Sequence, residues 1–163
     1  MLPLISKIYG KNPKPRNWSK GTYGFRIVDT KIVLFKNKIL GLPLGKKLDL
    51  KIPDIFCKNK LLTKRFLRGF FSTDGSFIIS LVNNKKYPRL FMSSISEKLM
   101  IQIKKVLINM GFIVSFWEGK QVNPNWKLQY KIHLNGFEML SKWNEEIGFN
   151  NPKQVKKMNE LII

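Results

Sequence analysis

The stretch LRGFFSTDG at residues 67–75 decides how this chain folds. Apolar residues at helical spacing lead to one carboxylate, Asp74, and a glycine follows it directly. We predict a helix over residues 61–73, with Gly75 in the left-handed conformation in which many helices end. A carboxylate at the end of such a helix can bind a divalent metal ion.

The balance of charge indicates the partner. Thirty Lys and Arg residues against ten Asp and Glu residues give a net charge of +20 over 163 residues. A surplus of this size usually has a polyanion to bind, and we expect nucleic acid, with an anionic membrane surface or plain solubility as alternatives. A metal-binding acid beside a phosphodiester indicates cleavage of nucleic acid.

Length and composition set further limits. A chain of 163 residues with 44% hydrophobic residues suits one domain with a substantial core. No apolar run reaches the length of a membrane span, and the first residues lack the layout of a secretion signal. Cys57 stands alone, which excludes a disulfide framework and a cysteine zinc site. We expect an intracellular, non-secreted protein with no membrane, either cytoplasmic in a prokaryote or organellar.

Periodicity predicts the remaining elements. Before the 67–75 stretch we predict a strand over 22–28 and a helix over 32–40. After it we predict strands over 77–81 and 89–92, a helix capped by Ser94 and Glu97, strands over 113–117 and 126–134, a helix begun at Asn135, and a last helix opened by Asn151 and Pro152.

The strand predicted over 126–134 has the clearest alternation. Its apolar side chains are Trp126, Leu128, Tyr130, Ile132 and Leu134, and the polar row between them is Lys127, Gln129, Lys131 and His133. One face of this strand is therefore expected to meet the core and the other face to remain polar.

The 67–75 stretch resembles the signature of the LAGLIDADG homing endonucleases. The run-up LGLPLGKK at 40–47 and the segment IGFNNPK at 147–153 are similar to the flanks of that motif, so the resemblance covers about residues 40–160. It implies an α/β fold of the α+β type, in which a saddle-shaped antiparallel sheet packs on helices. Residues 59–163 would form one half-site domain. Residues 1–58 would be an N-terminal strand, helix and linker, similar to the remnant of a first repeat.

The resemblance also implies a mechanism. Asp74, at the eighth motif position, and Gly75 would form the metal site for Mg²⁺ or Mn²⁺. Lys153 would assist catalysis at the phosphate, and Gly69 would let two motif helices pack closely. Because the chain has one motif, the implied enzyme is a homodimer that makes double-strand breaks in DNA during intron homing.

The same resemblance assigns DNA reading to the sheet, which lies in the major groove in that family. The polar row Lys127, Gln129, Lys131 and His133 fits that role, and Arg26, Ser80 and Arg89 are further candidates from other strands. Lys and Arg pair with guanine and Gln pairs with adenine in the major groove.

Several alternatives stay open. The chain could be a DNA-binding or intron-RNA-binding protein of the same fold, as in maturases, without cleavage, or a different chain could supply the second half-site. Asp74 and Gly75 could form only a turn. The single histidine, His133, is expected at the surface or in the groove rather than in catalysis. The motif itself departs from the family at Arg68 and Ser72, which stand where a small residue and an acid are usual.

Overall fold

A computed structural model describes residues 2–19, 21–45, 48–119, 123, 125 and 127–162. The chain divides into two compact units, Met1–Gly41 and Leu42–Ile163. The helices of the described residues are α1 (Leu2–Tyr9), α2 (Thr30–Lys38), α3 (Asp54–Cys57), α4 (Lys60–Asp74), α5 (Glu97–Asn109), α6 (Gly136–Glu146) and α7 (Pro152–Ile162). The strands are β1 (Arg16–Ser19), β2 (Thr22–Gly24), β3 (Gly75–Val82), β4 (Lys85–Ser94), β5 (Ser115–Glu118) and β6 (Tyr130–Asn135). Within the described residues, no helix has both the length and the apolar composition that crossing a bilayer requires.

The N-terminal unit contains α1, the antiparallel pair β1–β2, and α2. The strand predicted over 22–28 is shorter, because β2 ends at Gly24. Gly24 pairs with Arg16, and the residue before Arg16 is Pro15, which has no amide hydrogen to continue the ladder. Asp29 caps α2 by accepting hydrogen bonds from the amides of Lys31 and Ile32 at 2.9 and 3.2 Å.

Helix α4 confirms the helix predicted over 61–73 and extends it by one residue at each end. Asn59 begins it, because its side-chain oxygen accepts hydrogen bonds from the amides of Leu61 and Leu62. Leu67 and Phe71 on its inner face are fully buried in the core. The helix therefore delivers Asp74 to the point where the chain enters the sheet.

The predicted left-handed conformation of Gly75 is wrong. Gly75 has φ −102° and ψ 151°, which is extended backbone, and it is the first residue of β3. A Cβ at this position would collide with the ring and the carbonyl oxygen of Phe71. A glycine is needed here for space, so that the motif helix passes into the strand without a loop.

The C-terminal unit is built on a four-stranded antiparallel sheet in the order β3-β4-β6-β5. One face of the sheet is buried against the helices, and its core side chains include Phe77, Leu90, Met92, Ile132 and Leu134. Phe71 of α4 meets Trp143 of α6 with ring centroids 4.9 Å apart. The predicted α+β architecture, a sheet packed on helices, is confirmed.

The strand predicted over 126–134 begins later, at Tyr130. Tyr130 is the first residue of β6 to pair with both neighbouring strands. It lies opposite Ser94 of β4 and opposite Glu118 of β5. Lys127 and Gln129 therefore precede the strand, although the carbonyl of Gln129 still accepts a hydrogen bond of 2.7 Å from the amide of Gly119. Trp126 lies outside the described residues.

The cap of α5 also differs from the prediction. Ser96, rather than Ser94, stands at the N-cap, and its hydroxyl oxygen accepts a hydrogen bond from the amide of Leu99. Ser94 is still engaged in the sheet opposite Tyr130, so it cannot start the helix. Its hydroxyl accepts a hydrogen bond from the amide of Ser96 instead.

Candidate active site and nucleic-acid interface

Asp74 is the exposed last residue of α4. Its Oδ2 accepts a hydrogen bond of 2.8 Å from the hydroxyl of Thr73. The carboxylate borders a cavity of about 360 Å³, together with Phe70 and with Ser93 and Gln129 of the sheet region. The fold thus presents one acid to solvent at the junction between helix and sheet.

Helix α7 and the residue before it hold this junction through three side chains that bond to backbone carbonyls. Asn151 Nδ2 donates to the carbonyl of Ser72 at 3.2 Å. Gln154 Nε2 donates to the carbonyls of Phe71 and Gly75 at 3.2 and 3.4 Å. In addition, Lys157 Nζ donates to the carbonyl of Phe77 at 2.8 Å. We call Asn151, Gln154 and Lys157 the backbone clamp.

The backbone clamp bonds to the carbonyls of Phe71 and Ser72 in the last turn of α4 and to those of Gly75 and Phe77 at the start of β3. Sequence reasoning missed this role for Gln154, which is 7% exposed. A signal was available: Gln154 occupies a buried position one helical turn before the buried Met158, where an apolar residue is expected. Asn151 was predicted only to open the helix, and its Oδ1 does accept the amide hydrogen of Lys153 at 3.0 Å.

Lys153 lies between the first two members of the backbone clamp, so the first turn of α7 is fixed beside the end of α4. Its side chain is exposed. Among the described residues, no hydrogen bond or ion pair links the Lys153 ammonium group to Asp74. The structure places Lys153 on the helix turn that is bonded to the end of α4, and its catalytic role remains a prediction.

The oxygen atoms at this junction fit a hard divalent cation. Asp74 offers an exposed carboxylate, and Gly75 offers a backbone carbonyl that also accepts a hydrogen bond of 3.4 Å from Gln154. Mg²⁺ binds to oxygen ligands and commonly uses only one or two carboxylates. The described part of the chain contains no group of three or more His, Cys, Asp or Glu side chains placed to hold a metal. One copy of this chain thus brings one carboxylate to the junction.

Strand register brings most of the predicted DNA-reading residues to one face of the sheet. Phe91 lies opposite His133, Ser93 opposite Lys131, and Arg89 opposite Asn135. On the other side of β4, Ser80 lies opposite Tyr87, two residues from Arg89. Because side chains alternate along a strand, Ser80, Arg89, Lys131 and His133 share the face away from the core. We call this the polar face.

Other predicted DNA-reading residues lie elsewhere. Gln129 is exposed and borders the polar face just before β6, whereas Lys127 is exposed two residues further from the strand. Arg26 belongs to the N-terminal unit and follows β2, so its predicted position on a strand is wrong. The DNA-reading roles of these three residues and of the four on the polar face remain predictions.

His133 lies between two aromatic rings on the polar face. Its ring centroid is 4.2 Å from that of Phe91 and 3.9 Å from that of Trp117. This burial lowers the pKa of His133 from 6.5 to about 4, with further contributions from the positive charges of Lys131 and Arg89. The imidazole is therefore neutral at pH 7, when it can both donate and accept a hydrogen bond.

The acid and the polar face are continuous. Ser93 and Gln129 border the cavity at Asp74, and both also border a second cavity of about 360 Å³ on the polar face. A third cavity, of about 500 Å³, lies further along the sheet beside Arg89 and Asn135. The Nε of Arg89 is buried without a hydrogen-bond partner among the described residues. A ligand on the polar face thus has a direct path to Asp74.

The outer side of α4 is open. Leu61, Arg65, Gly69 and Thr73 are exposed and recur every fourth residue, so they share one side of the helix. A Cβ added at Gly69 would meet no atom within 4 Å. The spacing and the space fit the predicted packing role of Gly69, which remains a prediction.

Comparison with known proteins identifies the family of the C-terminal unit. Residues 62–148, just over half of the chain, match the family described as "LAGLIDADG-like domain". Over 119 residues the chain is 28% identical to a protein named replication factor C small subunit from Methanocaldococcus jannaschii. That match covers 72% of this chain and 6% of the relative, so the chain spans only a small part of the relative's length.

Proposed function

Because the chain belongs to the LAGLIDADG family, we propose that it is a site-specific, metal-dependent endonuclease that makes double-strand breaks in DNA as a homodimer. The observation that carries the proposal is the position of Asp74. Its exposed carboxylate borders a cavity that shares Ser93 and Gln129 with the polar face. DNA lying on that face would place a phosphodiester near the acid.

Asp74 and the carbonyl of Gly75 are the groups that would hold Mg²⁺ or Mn²⁺. When bound, the metal would supply charge stabilisation at the phosphate that is cut. The backbone clamp fixes the backbone on both sides of Asp74, because Gln154 bonds to the carbonyls of Phe71 and Gly75. An acid on a rigid helix end is the arrangement that positions a ligand with little reorganisation.

Lys153 is proposed to assist at the phosphate. Its exposed ammonium group extends from a helix turn that Asn151 and Gln154 fix beside Asp74. A cation beside the phosphate stabilises negative charge as it develops on a phosphate oxygen. Lys153 would therefore act in the transition state, whereas the lysines and arginines that contact other phosphates would mainly position the duplex.

A homodimer would supply the second acid. Each copy contributes one Asp74, and cutting both strands requires an acid at each scissile phosphate. The exposed side of α4 with Leu61, Arg65, Gly69 and Thr73 is the surface on which two copies would meet. With no side chain at Gly69, the two helices could approach closely.

Replacing Asp74 with Asn tests the proposal. Asn keeps the shape of Asp and removes the charge that attracts the metal. Replacing a residue that only supports a metal ligand typically lowers metal affinity or activity about 10–100-fold. We therefore expect D74N, which changes the ligand itself, to lower the cleavage rate at least about 100-fold. Binding of DNA in the absence of metal should remain unchanged. The matched control is Asp54→Asn, an exposed acid on α3. The substrate is a duplex selected from a random library by the protein itself, and cleavage is measured in Mg²⁺ and in Mn²⁺.

The outcomes separate the two candidate functions. Loss of cutting in D74N alone supports the endonuclease, and cutting that persists in D74N refutes the role of Asp74. A wild-type protein that binds the selected duplex and cuts it with neither metal would instead be a binding protein for DNA or intron RNA with the same fold.

A further inference from the structure

Three apolar side chains and the uncharged ring of His133 form a line across the polar face, and we call these four residues the apolar diagonal. They are Ile78 on β3, Phe91 on β4, His133 on β6 and Trp117 on β5, one from each strand in spatial order. Phe91 and His133 are directly opposite each other, whereas Ile78 and Trp117 are each displaced by two residues along the strands, in opposite directions. The diagonal therefore crosses the whole sheet.

The diagonal is packed at its centre and open at its ends. The ring of His133 is 4.2 Å from Phe91 and 3.9 Å from Trp117, whereas Ile78 and Trp117 are each 43% exposed. All four residues border the same cavity of about 360 Å³ on the polar face. Apolar groups that remain exposed in a pocket of a binding surface commonly mark contact with a ligand.

Charges at the two ends restrict what that ligand can be. Arg89 lies opposite Ile78, and Lys131 lies opposite Trp117. His133, at the centre, stays uncharged at pH 7 because of its lowered pKa. Arg89 and Lys131 lie on the inner strands β4 and β6, directly beside the two apolar ends, so the partner must present anionic groups close to apolar ones. The major groove of duplex DNA combines these features, since its phosphates flank a groove in which the thymine 5-methyl is the apolar group.

We propose that the apolar diagonal binds the 5-methyl groups of thymines in the major groove, so that the protein selects A·T pairs beneath Ile78 and Trp117. The proposal rests on the proposed function, because it needs DNA on the polar face. Ile78 and Trp117 are three strand spacings apart across the sheet, about 14 Å, and their register differs by four residues along it, about another 14 Å. The resulting distance of about 20 Å corresponds to about six base-pair steps. The two selected thymine positions should be separated by about that number of steps.

Removal of single methyl groups tests the proposal. A duplex enriched by the wild-type protein from a random library is remade with deoxyuridine in place of each thymine in turn, and the Kd is measured without metal. Burial of one methyl group predicts that deoxyuridine weakens binding about fourfold at the contacted positions. The same duplexes are then measured with Ile78→Ala and Trp117→Ala.

In a double-mutant cycle, each variant should lose the discrimination between thymine and deoxyuridine at its own position only. The matched control is Leu81→Ala, since Leu81 is exposed on the same strand as Ile78 and faces the opposite side of the sheet. If deoxyuridine weakens binding by changing the shape of the DNA, all variants should show the same weakening. If it removes a direct methyl contact, the weakening should vanish only in the variant that lacks the contacting side chain. Circular dichroism of each variant verifies that the fold is retained.

Two results would overturn the inference. If no thymine of the enriched duplex is sensitive to methyl removal, the apolar diagonal does not contact thymine methyls, although the protein still binds DNA. If I78A and W117A retain the full wild-type discrimination, the sensitivity arises elsewhere. Failure to enrich any duplex would refute the proposed function itself, and the two failures are thereby distinguishable.

Discussion

At the scale of single residues, two glycines of one motif have opposite requirements. Gly75 is extended and has no room for a Cβ, whereas Gly69 has open space around it. The sequence alone could not distinguish these two cases, because glycine can serve to enter a strand, to make a turn or to let two helices approach. At Gly75 the ring and the carbonyl oxygen of Phe71 leave no room for a Cβ, and their positions are known only from the folded structure.

His133 gives a prediction about pH. Its pKa is lowered to about 4 in the folded protein from the ordinary value of 6.5. Between these values the unfolded chain binds a proton that the folded chain does not, so the free energy of unfolding falls as the pH falls below about 6.5. We expect a loss on the order of 1 kcal/mol between pH 7 and pH 5.

The chain has a single histidine, so the assignment is direct. Urea unfolding at pH 7, 6 and 5 measures the effect, and His133→Gln should flatten the dependence over this interval. An equal slope in the variant and the wild type would show that His133 titrates normally in the folded protein. The sequence predicted that His133 lies on a polar strand face, but its two ring neighbours depend on strand order and register.

At the scale of elements, α4 was predictable and its contact with α7 was not. The cap at Asn59 and the buried side chains Leu67 and Phe71 are local signals within one helix. The bonds from Asn151 and Gln154 join residues 79 to 83 positions apart, and no local pattern encodes that distance. The start of β6 is similar, because it is set by where its neighbours β4 and β5 stop pairing.

Gln154→Glu tests whether the clamp holds these elements together. A carboxylate has nearly the shape of the amide but would face the carbonyls of Phe71 and Gly75 without a hydrogen to donate. We expect Q154E to lower the free energy of unfolding by about 3 kcal/mol at pH 8, because a buried charge would be left unpaired. Protonation restores a donor, so the loss relative to wild type should shrink at pH 5.

Asn159→Asp is the matched control, since it makes the same change from amide to acid at an exposed position of α7. It should change the stability by less than about 0.5 kcal/mol at either pH. A Q154E variant as stable as the wild type at pH 8 would show that the clamp contributes nothing to the junction.

At the scale of the whole molecule, the sequence predicted the family fold and a basic surface, and the family match supports the first. The charge of +20 and the alternation of polar residues along the predicted strand are enough to predict a polar sheet face, and the strand register is not needed for that prediction. Oligomeric state is different, because it depends on the shape of a surface that one copy leaves open. Gly69 lies on such a surface. The empty space around it in one copy shows that a second helix could approach there, and it does not show that one does.

Gly69→Leu tests the dimer. A Cβ at Gly69 meets no atom within 4 Å. Glycine is worse than alanine in a helix interior by about 0.8–1 kcal/mol and leucine ranks close to alanine, so the fold of one copy should not be weakened. Two α4 helices could no longer approach closely, so light scattering should change from twice 19.1 kDa to 19.1 kDa, and cleavage should be lost.

Gly24→Leu is the control, since Gly24 also has open space and an ordinary backbone conformation. It should leave the mass and the cleavage rate unchanged. A G69L protein that stays dimeric and active would place the dimer contact on another surface.

The length of chain between the two partners in the backbone clamp has a consequence for biosynthesis. During synthesis the carbonyls beside Asp74 are made before the side chains that donate hydrogen bonds to them. Asn151, for example, follows Ser72 by 79 residues. Until then the acid stands at a helix end that lacks its final support, and long-range closure of this kind is slow relative to helix formation. We expect Asp74 of a nascent chain to reach its ordered position only after residues 151–157 have been synthesised.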